Sequence, residues 1–151
     1  MKKILPVLIL CLSLLLCGCG NEYAQKEYNA TDKIANQGDR YSKVGSVFNP
    51  IDGGYSLEVS KFDGRETLWD QKYSEGKDIE IQMKLTLTAG KAKIVSIDED
   101  DNVTTILECT PDSVESDYVT KTVSLTKGRN RIKIVGAGCK DVSFQMLSDE
   151  F

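Results

Sequence analysis

From Tyr55 to the end of the chain, apolar and polar residues alternate with a period of two. The clearest run sets Ile79, Ile81, Met83, Leu85 and Leu87 against Glu80, Gln82, Lys84, Thr86 and Thr88. Successive side chains of a strand point to opposite faces, so this run predicts a strand with one face on a core and the other in water. Shorter stretches repeat the pattern at Tyr55, Leu57, Val59; at Val119, Val123, Leu125; at Ile132, Ile134; and at Val142, Phe144, Met146. Turn chemistry separates them. Asp63-Gly64 has the composition of a two-residue hairpin, because both central residues of a type I′ turn need positive φ. Ala89-Gly90, the acidic stretch Asp98 to Asn102, Lys127-Gly128 and Gly136-Ala137-Gly138 punctuate the rest. About eight strands result, near 55–61, 66–72, 79–88, 92–98, 103–110, 118–125, 130–135 and 141–147. Strands at this spacing, with no helical pattern between them, predict an all-β fold: an antiparallel, jelly-roll-like β-sandwich in one domain over residues 50–151.

Ahead of this domain the pattern changes twice. Lys2 and Lys3 open an apolar run from Ile4 to Leu16, too short to span a bilayer and of the length of a signal-peptide core. It ends in Leu16-Cys17-Gly18-Cys19, which resembles the bacterial lipobox. Gly18 supplies the small residue a signal peptidase needs before its cut, so Cys19 is the expected lipidation site, and residues 1–18 the expected signal peptide. Cys17 stands where the commonest pattern has Ser, Ala or Thr. From 19 to 49 the chain is polar and low in aliphatics, which predicts a lipid-anchored tether with too little apolar surface to offset ordering entropy.

Charge and cysteines narrow the chemistry. The formal charge of −4 becomes −6 once Lys2 and Lys3 are removed, and no cluster of Lys and Arg is present, which argues against a nucleic-acid partner. The absence of histidine removes Ser-His-Asp and Cys-His catalysis and histidine-ligated zinc. No carboxylate pair stands out for glycoside hydrolysis. The expectation is a non-enzymatic protein without a cofactor. Beyond Cys19, Cys109 and Cys139 form one disulfide in an extracytoplasmic setting or remain two buried thiols. A bridge would close a loop of about 30 residues and stabilise the domain by roughly 3 kcal/mol.

Two groups of residues offer binding chemistry. Trp69, Tyr73 and Tyr118, with Tyr55 and Phe62, are candidates for an aromatic platform on which sugar rings stack. Leu68 and Trp69 are adjacent in a strand, so one of the two is expected to be exposed. Core packing is the competing fate for the single tryptophan. Asp98, Asp100 and Asn102 open like an EF-hand loop, but Val103 takes the glycine position and Cys109 the bidentate glutamate position. A solvated turn is the expected role, with a weak surface calcium site as the other.

Cys19 with its preceding run, Phe62-Asp63-Gly64, Ala89-Gly90-Lys91 with Lys93-Ile94-Val95, and Lys127-Gly128-x-Asn130-x-Ile132-x-Ile134-Val135-Gly136 together resemble small surface lipoproteins of Gram-positive, clostridial-type bacteria. That resemblance implies a lipid anchor on the outer face of the cell membrane, a tether and one β-sandwich. The last stretch also resembles the late strands of jelly-roll carbohydrate-binding modules. The expected function is a membrane-anchored module for protein interaction or envelope structure. Carbohydrate binding through exposed aromatics is the alternative, with an envelope protein or polysaccharide as partner.

Overall fold

A computed structural model describes residues 22–151; the expected signal peptide and the expected lipidation site Cys19 lie outside them. Seven antiparallel strands run β1 (Arg40–Ile51), β2 (Gly54–Tyr73), β3 (Lys77–Thr86), β4 (Ala89–Ile97), β5 (Val103–Cys109), β6 (Val119–Leu125) and β7 (Gly128–Leu147). β2 and β7 are 20 residues each and pair along their whole length. Their outer halves, 54–62 and 139–147, lie in a first sheet ordered β1-β2-β7-β3-β6. Their other halves carry a second layer in which β7 pairs β4 and β4 pairs β5. The core lies between the layers. Leu57, Val59, Phe144, Met146, Ile81, Met83 and Val123 from the first sheet meet Leu68, Trp69, Ile132, Ile134, Ala92 and Ile94 from the second. The strict alternation expected of β3 is present, with Ile79, Ile81, Met83 and Leu85 buried between exposed or half-buried neighbours.

Two expected turns are strand interiors instead. Asp63-Gly64 and Gly136-Ala137-Gly138 lie opposite each other where β2 and β7 cross from one sheet to the other, with one register shift between Phe62 and Gly64 and a second between Thr67 and Trp69. A type I′ hairpin needs two residues with positive φ, and only Gly64 has it, at 106°. A Cβ on Gly64 would lie 2.1 Å from the Arg40 carbonyl oxygen, and one on Gly136 would lie 2.5 Å from the Phe62 ring. These glycines let two strands bend at close approach. Eight expected strands therefore merge into six, β1 adds a seventh, and the end of the sandwich holding these residues is the bend end.

Residues 22–49, whose polarity predicts a tether, are part of the fold. Helix α1 (Glu22–Glu27) and helix α2 (Thr31–Ala35) lie on the outer face of the second sheet, and β1 adds an edge strand to the first. Ala24, Tyr28, Ile34 and Ala35 bury against Val95, Ile97, Val135 and Ala137. Few apolar residues suffice because cations of the sheet hold the segment. Arg65 pairs with Glu27 at 2.5 Å. Arg131 donates to the Ala35 carbonyl at 2.8 Å and to Asp101 at 2.6 Å. Lys133, fully buried, donates to the Asn36 carbonyl at 2.7 Å and to Asp39 at 3.1 Å. Lys91 and Lys93 stand 4.4 and 4.5 Å from the Tyr28 ring centroid. Carbonyls at the end of a helix carry its negative partial charge, so Arg131 and Lys133 cap α2.

These contacts set an acid limit. Burial opposes ionisation of Asp39, but the Thr67 N–H and hydroxyl and the Lys133 ammonium outweigh it and hold the pKa below the ordinary value. The Arg129 guanidinium does the same for Asp70 at 2.5–3.1 Å. A carboxylate depressed in the native state stabilises it above its unfolded pKa, and that contribution disappears as pH falls through the folded value. The urea midpoint should stay level from neutrality to about pH 5 and fall below about pH 4. Asp39→Asn should flatten that fall, and an unchanged slope in the variant would detach Asp39 from it.

Candidate functional site

The two outer faces of the sandwich are unequal. α1 and α2 cover the second sheet, whereas no helix of the described residues lies on the outer face of the first sheet. Directly paired residues share a face, so the register builds rows across the open side. One row runs Asn49, Ser56, Gln145, Lys84, and the continuing register brings it to Tyr118 beside β6. The next row is Val47, Glu58, Ser143, Thr86, and the one on the other side ends in Leu147, Gln82 and Thr120. The Tyr118 hydroxyl donates to Gln145 Oε1, and Ser143 donates to Glu58 at 2.6 Å. Shallow hollows of about 180 Å³ lie at either end, one among Gly53, Glu80, Gln82 and Ser148, the other among Gly45, Glu58, Ser60 and Asp141. The face presents amides, hydroxyls, the carboxylates of Glu58 and Glu80, an ammonium and one phenol, with Val47 exposed at its β1 edge.

The expected aromatic platform is not assembled. Trp69 is 5% exposed and packs in the core against Phe151 and Tyr73, with ring centroids 5.6 and 6.1 Å away. Phe62 is buried, Tyr55 stacks on Phe48 at 5.5 Å, and half-buried Tyr73 has Lys77 4.7 Å from its ring centroid. Phe48, Tyr55, Phe151, Trp69 and Tyr73 thus form one row of rings. Leu68 and Trp69 are both buried, against the expectation that one faces water, because the β2–β7 register shifts between Thr67 and Trp69. A bulge inserts an extra residue and breaks the strict alternation of faces. Of the three named candidates only Tyr118, 40% exposed, stands on a surface, and it lies on the first sheet rather than beside Trp69. Its companions Gln145, Lys84 and Asn49 escape sequence reading because they come from three separate strands; the polar positions of β3 were the visible signal.

The remaining expectations resolve locally. The Asp98 carboxylate accepts from the N–H groups of Asp100 and Asn102 at 3.0 and 2.9 Å and from the Asn102 amide at 2.8 Å, while Asp101 pairs with Arg131. The loop is a turn stitched by its own side chains, and no group of three metal-ligating residues occurs among the described residues. Cys109 and Cys139 are free and buried, so the disulfide alternative is not realised. Each thiol donates to a different carbonyl, Cys109 to Leu85 at 3.3 Å and Cys139 to Lys91 at 3.0 Å. Burial raises both pKa values, that of Cys139 to about 11. Thiolate is the reactive form. At pH 8 a disulfide reagent such as DTNB should therefore titrate neither thiol in the native protein and both in urea; rapid native reaction of either would contradict their burial.

A wider groove of about 530 Å³ opens between the free edges of β5 and β6, bordered by Ser96, Thr104, Thr105, Lys121, Thr122 and Ser124. Ile106 and Val123 provide its apolar contact with the core. It has hydroxyls but no aromatic ring, no carboxylate pair and no nucleophile with a base.

Fold and surface together define an antiparallel β-sandwich with one face sealed by its own N-terminal segment and one polar face open. No family model matches the sequence, and no curated protein does. Among solved structures, the chain is similar to a family 29 carbohydrate binding module variant complexed with mannohexaose, at 18% identity and TM-score 0.45, over 74% of this chain and 79% of that one. It is similar also to the family 29 module itself at 18% identity and TM-score 0.43, over 74% and 76%. A variant complexed with cellulohexaose matches at 14% identity and TM-score 0.40, over 74% and 78%. At these values the matches define no family for the chain and transfer no site to it.

Proposed function

We propose that the chain is a membrane-anchored, extracytoplasmic binding module, lipidated at Cys19, that holds a polysaccharide on the open face of its first sheet. One observation carries this reading: the row Asn49, Ser56, Gln145, Lys84, Tyr118 lies flat on the uncovered side of the sandwich. Asn49, Ser56, Gln145 and Tyr118 can each both donate and accept, Lys84 donates, and the row ends on an exposed phenol ring. A polyhydroxylated chain needs many shallow hydrogen bonds and one apolar ring face to lie on, whereas a protein hot spot is built on buried aromatic or aliphatic anchors. Trp69 takes no part.

A second reading, protein interaction in the envelope, is favoured by a different observation. β1 is an edge strand whose Tyr41, Val44, Val47 and Phe48 are exposed, Val44 to 57%. Pro50 lacks an N–H, which discourages strand addition at this edge, so a partner would dock on the side chains.

The test is retention on the immobilised mature domain. Envelope polysaccharide and detergent-solubilised envelope proteins are applied separately to wild type, to Tyr118→Ala with Gln145→Ala, and to Val44→Asp. Sugar retention should fall about tenfold or more in the double variant, since two lost contacts of about 1 kcal/mol each exceed one decade in affinity. Val44→Asp, outside these rows, should leave it unchanged. Capture of one protein lost in Val44→Asp, with no polysaccharide bound by wild type, would replace the first reading by the second.

A further inference from the structure

We infer that β1 is a self-association edge: two copies of the chain lie side by side with their β1 strands antiparallel, Ser46 of one facing Ser46 of the other. This contact needs neither the sugar nor the envelope protein of the readings above. Its first support is where apolar exposure falls. Of the seven large apolar side chains exposed among the described residues, five belong to this one strand: Tyr41, Val44, Val47, Phe48 and Ile51. They stand on both of its faces. Val47 pairs with Glu58 and Phe48 with buried Leu57, so Tyr41, Val47 and Ile51 lie on the open side, Val44 and Phe48 on the core side. A helix or a lipid surface against one face leaves the other apolar set in water. A second strand arriving in the plane of the sheet covers both, because it too carries side chains on two faces.

The second support is the contrast with the other free edges. Lys121 on β6 pairs with buried Ile81 and so stands on the core-side face of its edge. β5 has an extra residue, Ile106, at a register shift, and β2 beyond its pairing with β1 carries Glu66, Asp70 and Lys72. Inward charges, bulges and charged side chains keep strand edges from pairing. β1 has no charged residue from Val44 to Ile51, and Pro50 near its end leaves side chains rather than a full ladder to carry the contact. The edge is also self-complementary, as a two-fold contact requires. Antiparallel register about Ser46 sets Val44 against Phe48 and Tyr41 against Ile51, each twice, and brings Arg40 toward Asp52 in the turn after β1. Exposed Asp52 makes no ion pair among the described residues. Arg40 gives one arm to Glu27 and keeps further N–H donors. The same symmetry sets the two open faces side by side, with the Asn49 ends of their rows adjacent.

Sedimentation equilibrium of the mature chain tests this, with Cys19→Ser to remove the expected acylation site and no detergent present. Loading runs up to about 1 mM, because the contact of one strand edge is smaller than a standard interface and correspondingly weak. The purified chain should pass from monomer to dimer over this range. Val44→Asp places a carboxylate against Phe48 twice in each dimer and should raise the dissociation constant about tenfold or more. Val114→Asp, exposed but off β1, should leave it unchanged. Val44 is exposed in the single chain, so circular dichroism of the variant should match wild type. Ser46→Cys should yield a disulfide-linked dimer on oxidation, since facing strand residues lie within bridging distance and Cys109 and Cys139 are buried. A monomer at every concentration overturns the inference and leaves β1 to the envelope protein of the second reading. A dimer that Val44→Asp does not weaken, or that Ser46→Cys does not bridge, overturns it as well.

Discussion

Tyr28→Ala should lower the stability of the folded chain by about 3–5 kcal/mol, the range for deleting a large buried aromatic ring. Tyr28 is 1% exposed under the N-terminal segment, its hydroxyl donates to Glu108 at 2.9 Å, and Lys91 and Lys93 stand over its ring. Truncation removes the main apolar contact of the segment with Val95, Ile97, Val135 and Ala137. It also loosens the cover over Arg131 and Lys133, whose partners on this segment are carbonyls and Asp39. A buried charge that loses its partner is costly. Tyr28→Phe separates ring from hydroxyl: Glu108 is exposed, so that hydrogen bond should cost about 0.5–1.5 kcal/mol. Urea unfolding measures both. A loss under about 1 kcal/mol for Tyr28→Ala would mean that residues 22–39 are the loose tether their polarity predicts.

Gly64→Ala is the second large effect, expected to cost about 2–5 kcal/mol from strain at positive φ together with overpacking. The methyl group would meet the Arg40 carbonyl oxygen at 2.1 Å and the Tyr41 Cα at 2.8 Å, and both are backbone atoms that no rotamer change can move. Gly53→Ala is the matched control. Gly53 has φ of 70° and nothing within 4 Å of its added Cβ, so it should show only the backbone term of about 1–2 kcal/mol. The difference between the two unfolding midpoints isolates the close approach of β1 to the bend in β2. Equal losses would show that the bend relaxes and that Gly64 serves only its dihedral angle.

The alternating residues of β3 were enough to name a strand and its buried face, because one residue in two meets the core there. The turns Asp98 to Asn102 and Lys127-Gly128 were legible for the same local reason. Asp63-Gly64 misled, since the glycine that closes a hairpin also permits a bend in a continuing strand; what decides is whether β7 pairs on through it. Trp69 could not be placed because a single bulge changes the face of every later residue. In the N-terminal segment, Ala24, Tyr28, Ile34 and Ala35 were visible as sparse apolar positions, but not what they meet.

The sequence by itself determined the strand class and the lack of histidine chemistry, both of which follow from local pattern and composition. Only the tertiary structure decided which alternating face is wet. Arg131 and Lys133 alternate with Ile132 and Ile134 as any half-exposed strand would, yet they are covered by residues 96 and 97 positions away. A period of two records that a strand has two faces; it carries no information about a distant segment that bonds to the polar one. The open face was decided in the same way. Gln145, Lys84 and Tyr118 become neighbours only through pairing register, and register is set by contacts along whole strands rather than by any residue in the row.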